Sequence, residues 1–219
     1  VTQVLVVHPT HPQLRLLKLA VAELRAGGLV VYPTDTTYAI ACHMGDKAAL
    51  ERIIALRRLH KHHQFTLACR DLSELGTYAR VDNVAYRLLK RLTPGPYTFV
   101  LKATREVPKR LLHAKRRTIG IRVPDHPVAQ GLLEAMGEPL MTTTLRLPQA
   151  EMPWTDAADI HEALGSQVDI ILDSGPCGTE SSTVVDLTDS VPRVLREGAG
   201  VIDFDANIDG SWVRRESQN

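Results

Sequence analysis

The chain has 219 residues, 44% hydrophobic and 23% charged, which predicts one large domain, or one with a small appendage, and excludes a disordered tail or a fibrous repeat. With 26 Lys and Arg against 25 Asp and Glu the formal net charge is only +1, so affinity for a nucleotide or nucleic acid has to come from clustering rather than from the total. Cys42, Cys69 and Cys177 are odd in number and outside any CxxC pair, which argues against a disulfide framework or a thiolate zinc site and for a reducing cytosol.

In chain order, the apolar run Val4 to Val7 predicts a strand. Thr10 with Gln13 reads as a capping box for a helix whose Leu14, Leu17, Val21 and Leu24 recur at helical spacing until Gly27 and Gly28. Leu29 to Tyr32 is a second strand closed by Pro33, and the polar Thr34 to Thr37 segment separates it from a third at Tyr38 to Cys42. Asp46 caps a helix that ends in the basic stretch Arg57 to His63. Phe65 to Cys69 is strand-like, Asp71 with Glu74 repeats the capping pattern, and Asp82 opens a helix through Leu92. Pro94, Gly95 and Pro96 break the chain before the strand Tyr97 to Lys102. Thr118 to Val123 reads as a strand, Pro127 to Met136 as a helix, and Leu140 to Thr144, Val168 to Leu172 and Thr183 to Leu187 as later strands. This alternation predicts an α/β layer fold around a central, largely buried sheet, with a polar tail from Asp203 to Asn219. No apolar run nears the roughly 18 residues of a membrane span, and Val1 to Val7 lacks a signal segment's basic flank, so a cytoplasmic protein without a membrane is expected.

The commonest phosphate, metal and acyl-transfer signatures, GxxxxGK[ST], GxGxxG after a strand, HExxH and GxSxG, are absent. Two basic clusters remain: Arg57 to His63, and Lys109, Arg110, Lys115, Arg116 and Arg117 leading to Arg122. Each is a solvated face or an anion site. Arg122 stands apart because it lies inside an apolar strand, where a guanidinium needs a carboxylate or phosphate partner to offset desolvation; a structural ion pair is the competing explanation. His60, His62 and His63 have no carboxylate or thiolate nearby in sequence and do not make a dedicated metal site. Hydroxyls collect at three strand ends, Thr34 to Thr37, Thr142 to Thr144 and Ser181 to Thr183, where α/β folds bind ligands.

Taken in order, Tyr32-Pro33-Thr34-Asp35-Thr36, Thr93-Pro94-Gly95-Pro96-Tyr97-Thr98, Gly120-Ile121-Arg122-Val123-Pro124, Ser182-Thr183-Val184-Val185-Asp186 and Arg196-Glu197-Gly198 resemble the YrdC-like threonylcarbamoyl-AMP synthases, and within them the YciO-type branch. The resemblance runs from about Gln13 to about Gly200 and implies a YrdC-like domain over 1–200, with a twisted mixed sheet flanked by helices and a basic concave cleft, followed by a tail over 201–219. It implies an enzyme that condenses L-threonine, bicarbonate and ATP to threonylcarbamoyl-AMP and pyrophosphate, with Mg²⁺ held mainly through the ATP phosphates. Partner proteins then carry the group to tRNA. No protein nucleophile is expected, because the threonine amine and bicarbonate supply the carbamate and the protein positions it against the α-phosphorus. On this resemblance Thr34, Tyr38, Arg122 and Ser182 hold threonine, and Arg57, Lys61, Thr142, Thr144, Arg146 and Arg196 hold the nucleotide.

Two positions depart from the family pattern. Its Lys-x-Arg motif stands here as Arg57-Arg58-Leu59, and its Ser-x-Asn motif as Thr144-Leu145-Arg146. Losing a guanidinium and an amide donor weakens transition-state stabilisation by several kcal/mol unless Lys61 and Arg146 rebuild it. A related ligand or the reverse, hydrolytic direction stays open at this level. So does a protein that grips double-stranded RNA through the basic cleft without catalysis, or a scaffold that retains only the fold.

Overall fold

Residues 1–60, 63–148, 150–202 and 214–215 are described by the structure, a computed structural model. Its strands are β1 (Gln3–Val6), β2 (Val30–Tyr32), β3 (Ala39–His43), β4 (Thr66–Ala68), β5 (Tyr97–Lys102), β6 (Thr118–Arg122), β7 (Leu140–Thr144), β8 (Ile170–Asp173), β9 (Thr183–Asp186), β10 (Arg193–Arg196) and β11 (Arg214–Arg215). The helices are α1 (Leu14–Arg25), α2 (Lys47–Arg57), α3 (Leu72–Tyr78), α4 (Asn83–Leu92), α5 (Pro127–Met136) and α6 (Ala157–Leu164). All eleven strands join one sheet in the order β1-β8-β2-β3-β7-β4-β6-β5-β9-β10-β11. It is mixed: β4 runs parallel to β6 and β5 to β9, while β3, β4 and β7 pair antiparallel, as do β5 and β6. The α/β sheet with flanking helices expected from the sequence is the fold that forms.

Strand alternation sorts the side chains between two faces. Tyr38, Ile40, Leu67, Phe99, Ile119, Ile121, Met141 and Val185 point to one face and meet the apolar sides of α2, α3, α4 and α6. Val30, Tyr32, Ala39, Ala41, Ala68, Leu140 and Ile170 point to the other, where α1 and α5 pack. Leu17, Leu24, Leu132 and Leu133 are fully buried there, each contributing about 1.5–3 kcal/mol. Gly131 lets these helices close, because a Cβ at that position would come within 2.8 Å of Leu17 Cδ1. Only the β1 to β4 half of this second face is roofed by α1 and α5. Over the Thr142 and Thr66 ends of β7 and β4, and over β6, β5 and β9, the sheet carries no apolar roof, and a cleft opens.

Local chemistry explains most element starts. Asp46, Asp71 and Asp82 accept the N–H groups of Ala49, Glu74 and Ala85 at 2.8–2.9 Å, as the capping patterns predicted. The Thr10–Gln13 capping box does not form. Gln13 is itself the N-cap, without a side-chain cap, and its Oε1 accepts the His8 N–H at 3.0 Å while Thr10 Oγ1 is engaged with His8 and His11. Helix α6 and strands β10 and β11 were not expected. Past Gly200, Val201 offers its carbonyl to the Tyr97 hydroxyl at 2.7 Å and Ile202 is buried in the core.

Candidate functional site

The cleft has a volume of about 310 Å³ and a floor of pleated sheet. Thr142, Thr66, Gly120 and Val100 stand side by side in register across β7, β4, β6 and β5. Gly120 keeps this floor deep: a Cβ there would meet Thr66 Oγ1 at 2.7 Å and the Phe65 carbonyl at 3.0 Å. The motif loops close around the floor. Gly95 N–H donates to the Val123 carbonyl at 3.0 Å and Thr183 N–H to the Pro96 carbonyl at 3.0 Å, which joins three of the segments singled out in the sequence. The Thr93–Pro94 peptide bond is cis.

Among the described residues four guanidinium groups, those of Arg57, Arg122, Arg146 and Arg196, line this cleft, and no carboxylate does. They form two pairs. Arg57, the last residue of α2, donates through Nε to the Arg146 carbonyl at 2.9 Å and through Nη1 to Thr143 Oγ1. Burial, and then the charge of Arg146, push the Arg57 pKa down to about 10. Arg146 follows β7 and donates Nη2 to the Glu151 carbonyl at 3.2 Å. His63 lies at this same end, its pKa lowered by burial and then by Arg57 and His60.

The second pair sits on β6 and β10. Arg122 is buried, and its Nη2 is paired with Asp35 Oδ1. That carboxylate is the partner the buried strand position demanded, so the ion pair is real. Arg196 grips the Ser182 carbonyl with Nε at 3.3 Å and Nη2 at 2.7 Å, and burial, followed by the charge of Arg122, lowers its pKa. Arg57, Arg146 and Arg196 are held by neutral backbone or hydroxyl oxygens and Arg122 by a carboxylate, and two like-charged pairs arranged in this way suit an anion. β7 and β6 are two strand spacings apart, roughly 10 Å, which sets the scale between the pairs.

The hydroxyl groups divide in the same way. Thr34 Oγ1 donates to the Thr37 carbonyl at 2.6 Å and faces the cleft. Ser182 Oγ lies 2.8 Å from Thr98 Oγ1, and Thr142 Oγ1 lies 2.8 Å from the Tyr32 hydroxyl; these groups border the cleft, as does Thr144. Tyr38 does not. Alternation along β3 turns it into the core beside Ile40, and its hydroxyl donates to the Gly175 carbonyl at 2.8 Å. Lys61 and His62 lie outside the described residues. Of the second basic cluster only Arg122 reaches the cleft; Arg110 is instead bound to the carbonyls of Met44 and Gly45. Thr66 borders the cleft and was not singled out; Asp35 and Thr98 lie within the motifs quoted above, His63 within the first basic stretch and Thr143 within the hydroxyl group Thr142 to Thr144.

A mixed sheet with a half-face lined by paired arginines and hydroxyls defines an α/β protein with an arginine-lined cleft. Residues 22–198 match the Sua5/YciO/YrdC profile, described as "Telomere recombination", and the chain belongs to that family. It is 54% identical over 199 residues to the protein named uncharacterized protein YciO of Escherichia coli K12, covering 91% of this chain and 97% of that one. Against the threonylcarbamoyl-AMP synthase of Mus musculus the identity is 34% over 195 residues, covering 84% of this chain and 68% of that protein. The crystal structure of E. coli YciO superposes with a TM-score of 0.89, covering 92% and 98% of the two chains. P. abyssi Sua5 complexed with L-threonine superposes with a TM-score of 0.87 at 25% identity, covering 97% of this chain and 62% of that one. The expected membership, with its YciO-type branch, is thereby shown. Among the described residues no helix is long and apolar enough to cross a membrane.

Proposed function

We propose that the cleft is a two-ended anion site that condenses L-threonine, bicarbonate and ATP to threonylcarbamoyl-AMP and pyrophosphate. The observation that carries this reading is the arrangement of four arginines as two separate pairs in one cleft with no lining carboxylate. A triphosphate suits the Arg57–Arg146 end, which offers two uncompensated cations with Thr143 and Thr144 beside them. An amino-acid carboxylate suits the Arg122 end, where the hydroxyls of Thr34, Thr98 and Ser182 converge. Relatedness to the synthases, and a solved Sua5 that holds L-threonine, support the same assignment.

The mechanism needs no nucleophile from the chain. Arg122 fixes the carboxylate, which leaves the amine free to attack the carbon of bicarbonate and form a carbamate with loss of water. Arg57 and Arg146 hold the phosphates so that the carbamate oxygen meets the α-phosphorus in line with the departing pyrophosphate, and their charge offsets the negative charge gathering on it. The lining residues fit Mg²⁺ only as a companion of the phosphates: among the described residues no three histidine, cysteine or acidic side chains come together as ligands. Transfer to tRNA by partner proteins belongs to this reading as its downstream step. The comparisons lend the double-stranded RNA alternative no support.

Pyrophosphate release from ATP is the test. Release that requires both L-threonine and bicarbonate, and that Arg122→Ala abolishes, is the expected result. ATP binding without any threonine-dependent release would overturn the synthase reading.

A further inference from the structure

The two ends of the cleft differ in net charge, and one residue makes the difference. Arg57 and Arg146 together carry two positive charges with no ion-pair partner among the described residues. Arg122 and Arg196 also carry two, but the Asp35 carboxylate bound to Arg122 removes one of them. Both members of that pair are nearly enclosed, with side chains 10% and 11% exposed, so the compensation is not diluted by water.

Geometry restricts the Arg122 end further. Asp35 occupies Nη2 of Arg122, and Nε is shut away from solvent without a partner, as is Asp35 Oδ2. Nη1 is the nitrogen of Arg122 without a partner among the described residues, so Asp35 already holds part of the guanidinium edge that an incoming anion would meet. Arg196 is spent in a similar way, with Nε and Nη2 both on the Ser182 carbonyl. What remains is a single net positive charge surrounded by hydroxyl groups, which matches a monoanionic carboxylate and not a phosphate dianion.

We propose that Asp35 is a specificity-determining residue: by pairing with Arg122 it lets a carboxylate into this end of the cleft and keeps phosphate out. The proposal rests on the two-ended reading above and extends it. Without Asp35 both ends would carry two positive charges, and the triphosphate or its pyrophosphate product would occupy the place of the amino acid.

The experiment is calorimetric titration of the full chain with inorganic phosphate, for the wild type, Asp35→Asn, Asp35→Glu and Arg57→Met, with thermal unfolding of each to report folding. The wild type takes one equivalent of phosphate. Asp35→Asn takes two, the second at least tenfold tighter than any second binding in the wild type, and Asp35→Glu returns to one. Arg57→Met binds phosphate at least tenfold more weakly than the wild type and shows no other site. If Asp35→Asn proves unfolded, Arg57→Met alone decides: phosphate binding that persists there at wild-type strength means that the Arg122 end accepts phosphate, and the proposal is wrong. One equivalent in folded Asp35→Asn also overturns it. L-threonine titrated into the same samples separates the two readings. A change from one to two equivalents with no threonine binding in the wild type leaves the charge filter standing and removes the threonine assignment.

Discussion

Arg57 and Arg146 are 89 residues apart in the chain, yet Nε of the first donates to the carbonyl of the second at 2.9 Å. Folding thus brings two like charges to one wall of the cleft and takes one of them partly out of water, at a cost that only an anion offsets. With its pKa lowered to about 10, Arg57 is still charged at neutral pH. A cation whose pKa is depressed by folding weakens the folded state below that value and stops doing so once it deprotonates.

Replacing Arg57 by methionine keeps the buried stem and removes the charge. Urea unfolding of Arg57→Met should give a stability within about 1 kcal/mol of the wild type, or above it. ATP affinity measured by calorimetry should fall tenfold or more, since charge-assisted hydrogen bonds contribute about 1.5–3 kcal/mol. A variant that binds ATP as the wild type does would remove Arg57 from the nucleotide site.

His63 carries a pH dependence of the same sign in a lower range. Burial, Arg57 and His60 lower its pKa from the ordinary 6.5, so it is neutral at pH 7. Between 6.5 and its lowered value the unfolded chain binds more protons than the folded one, and stability falls as the pH drops through that window. A bound phosphate reverses the balance by favouring the imidazolium. ATP affinity should therefore rise on acidification below 6.5 in the wild type and rise less in His63→Gln, as read by titration at two pH values. Equal slopes in the two proteins would place His63 outside the reach of the phosphates.

Gly198 supports the other wall. A Cβ at this position would collide with the Ser181 carbonyl and stand 2.8 Å from that of Ser182, the segment that Arg196 grips. Those obstacles are backbone and cannot swing aside. Gly198→Ala should cost about 2 kcal/mol and lower the unfolding temperature by roughly 4–8 °C in a chain of this size. Binding of L-threonine should weaken with it, because Ser182 Oγ moves with its carbonyl. An unshifted melting curve would show that the loop relaxes freely.

Much of the fold was legible in the sequence because its signals are local. Asp46, Asp71 and Asp82 sit three residues before the N–H groups they accept, and alternation within Tyr97 to Lys102 shows which residues face the core. Helix α6 carried the same kind of signal, with Asp156 as its cap and Ala157, Ile160 and Leu164 on one side, and it was passed over. β10 offered less, with Val194 its single buried residue. The candidate site divides along the same line. That Arg122 must have an anionic partner follows from one apolar strand, but that Asp35 is the partner depends on a contact across 87 residues, which no local pattern encodes. Tyr38 stands four residues from Thr34 and was grouped with it. One step of the pleat separates it from the cleft: Ala39 faces the ligand side and Tyr38 the core.

The pleated floor has a consequence for how this protein can change. On β5, Thr98 and Val100 look into the cleft, while Tyr97, Phe99 and Leu101 anchor the strand from behind; β9 repeats the scheme with Val184 in the cleft and Val185 in the core. Along β5 and β9, residues that border the cleft and residues that hold the sheet thus alternate without sharing a face. Exchanges on the open side, such as arginine in place of an amide at position 146, need no compensating change in the packed layer behind it. A fold divided in this way can be retuned from one anionic ligand to another in single steps.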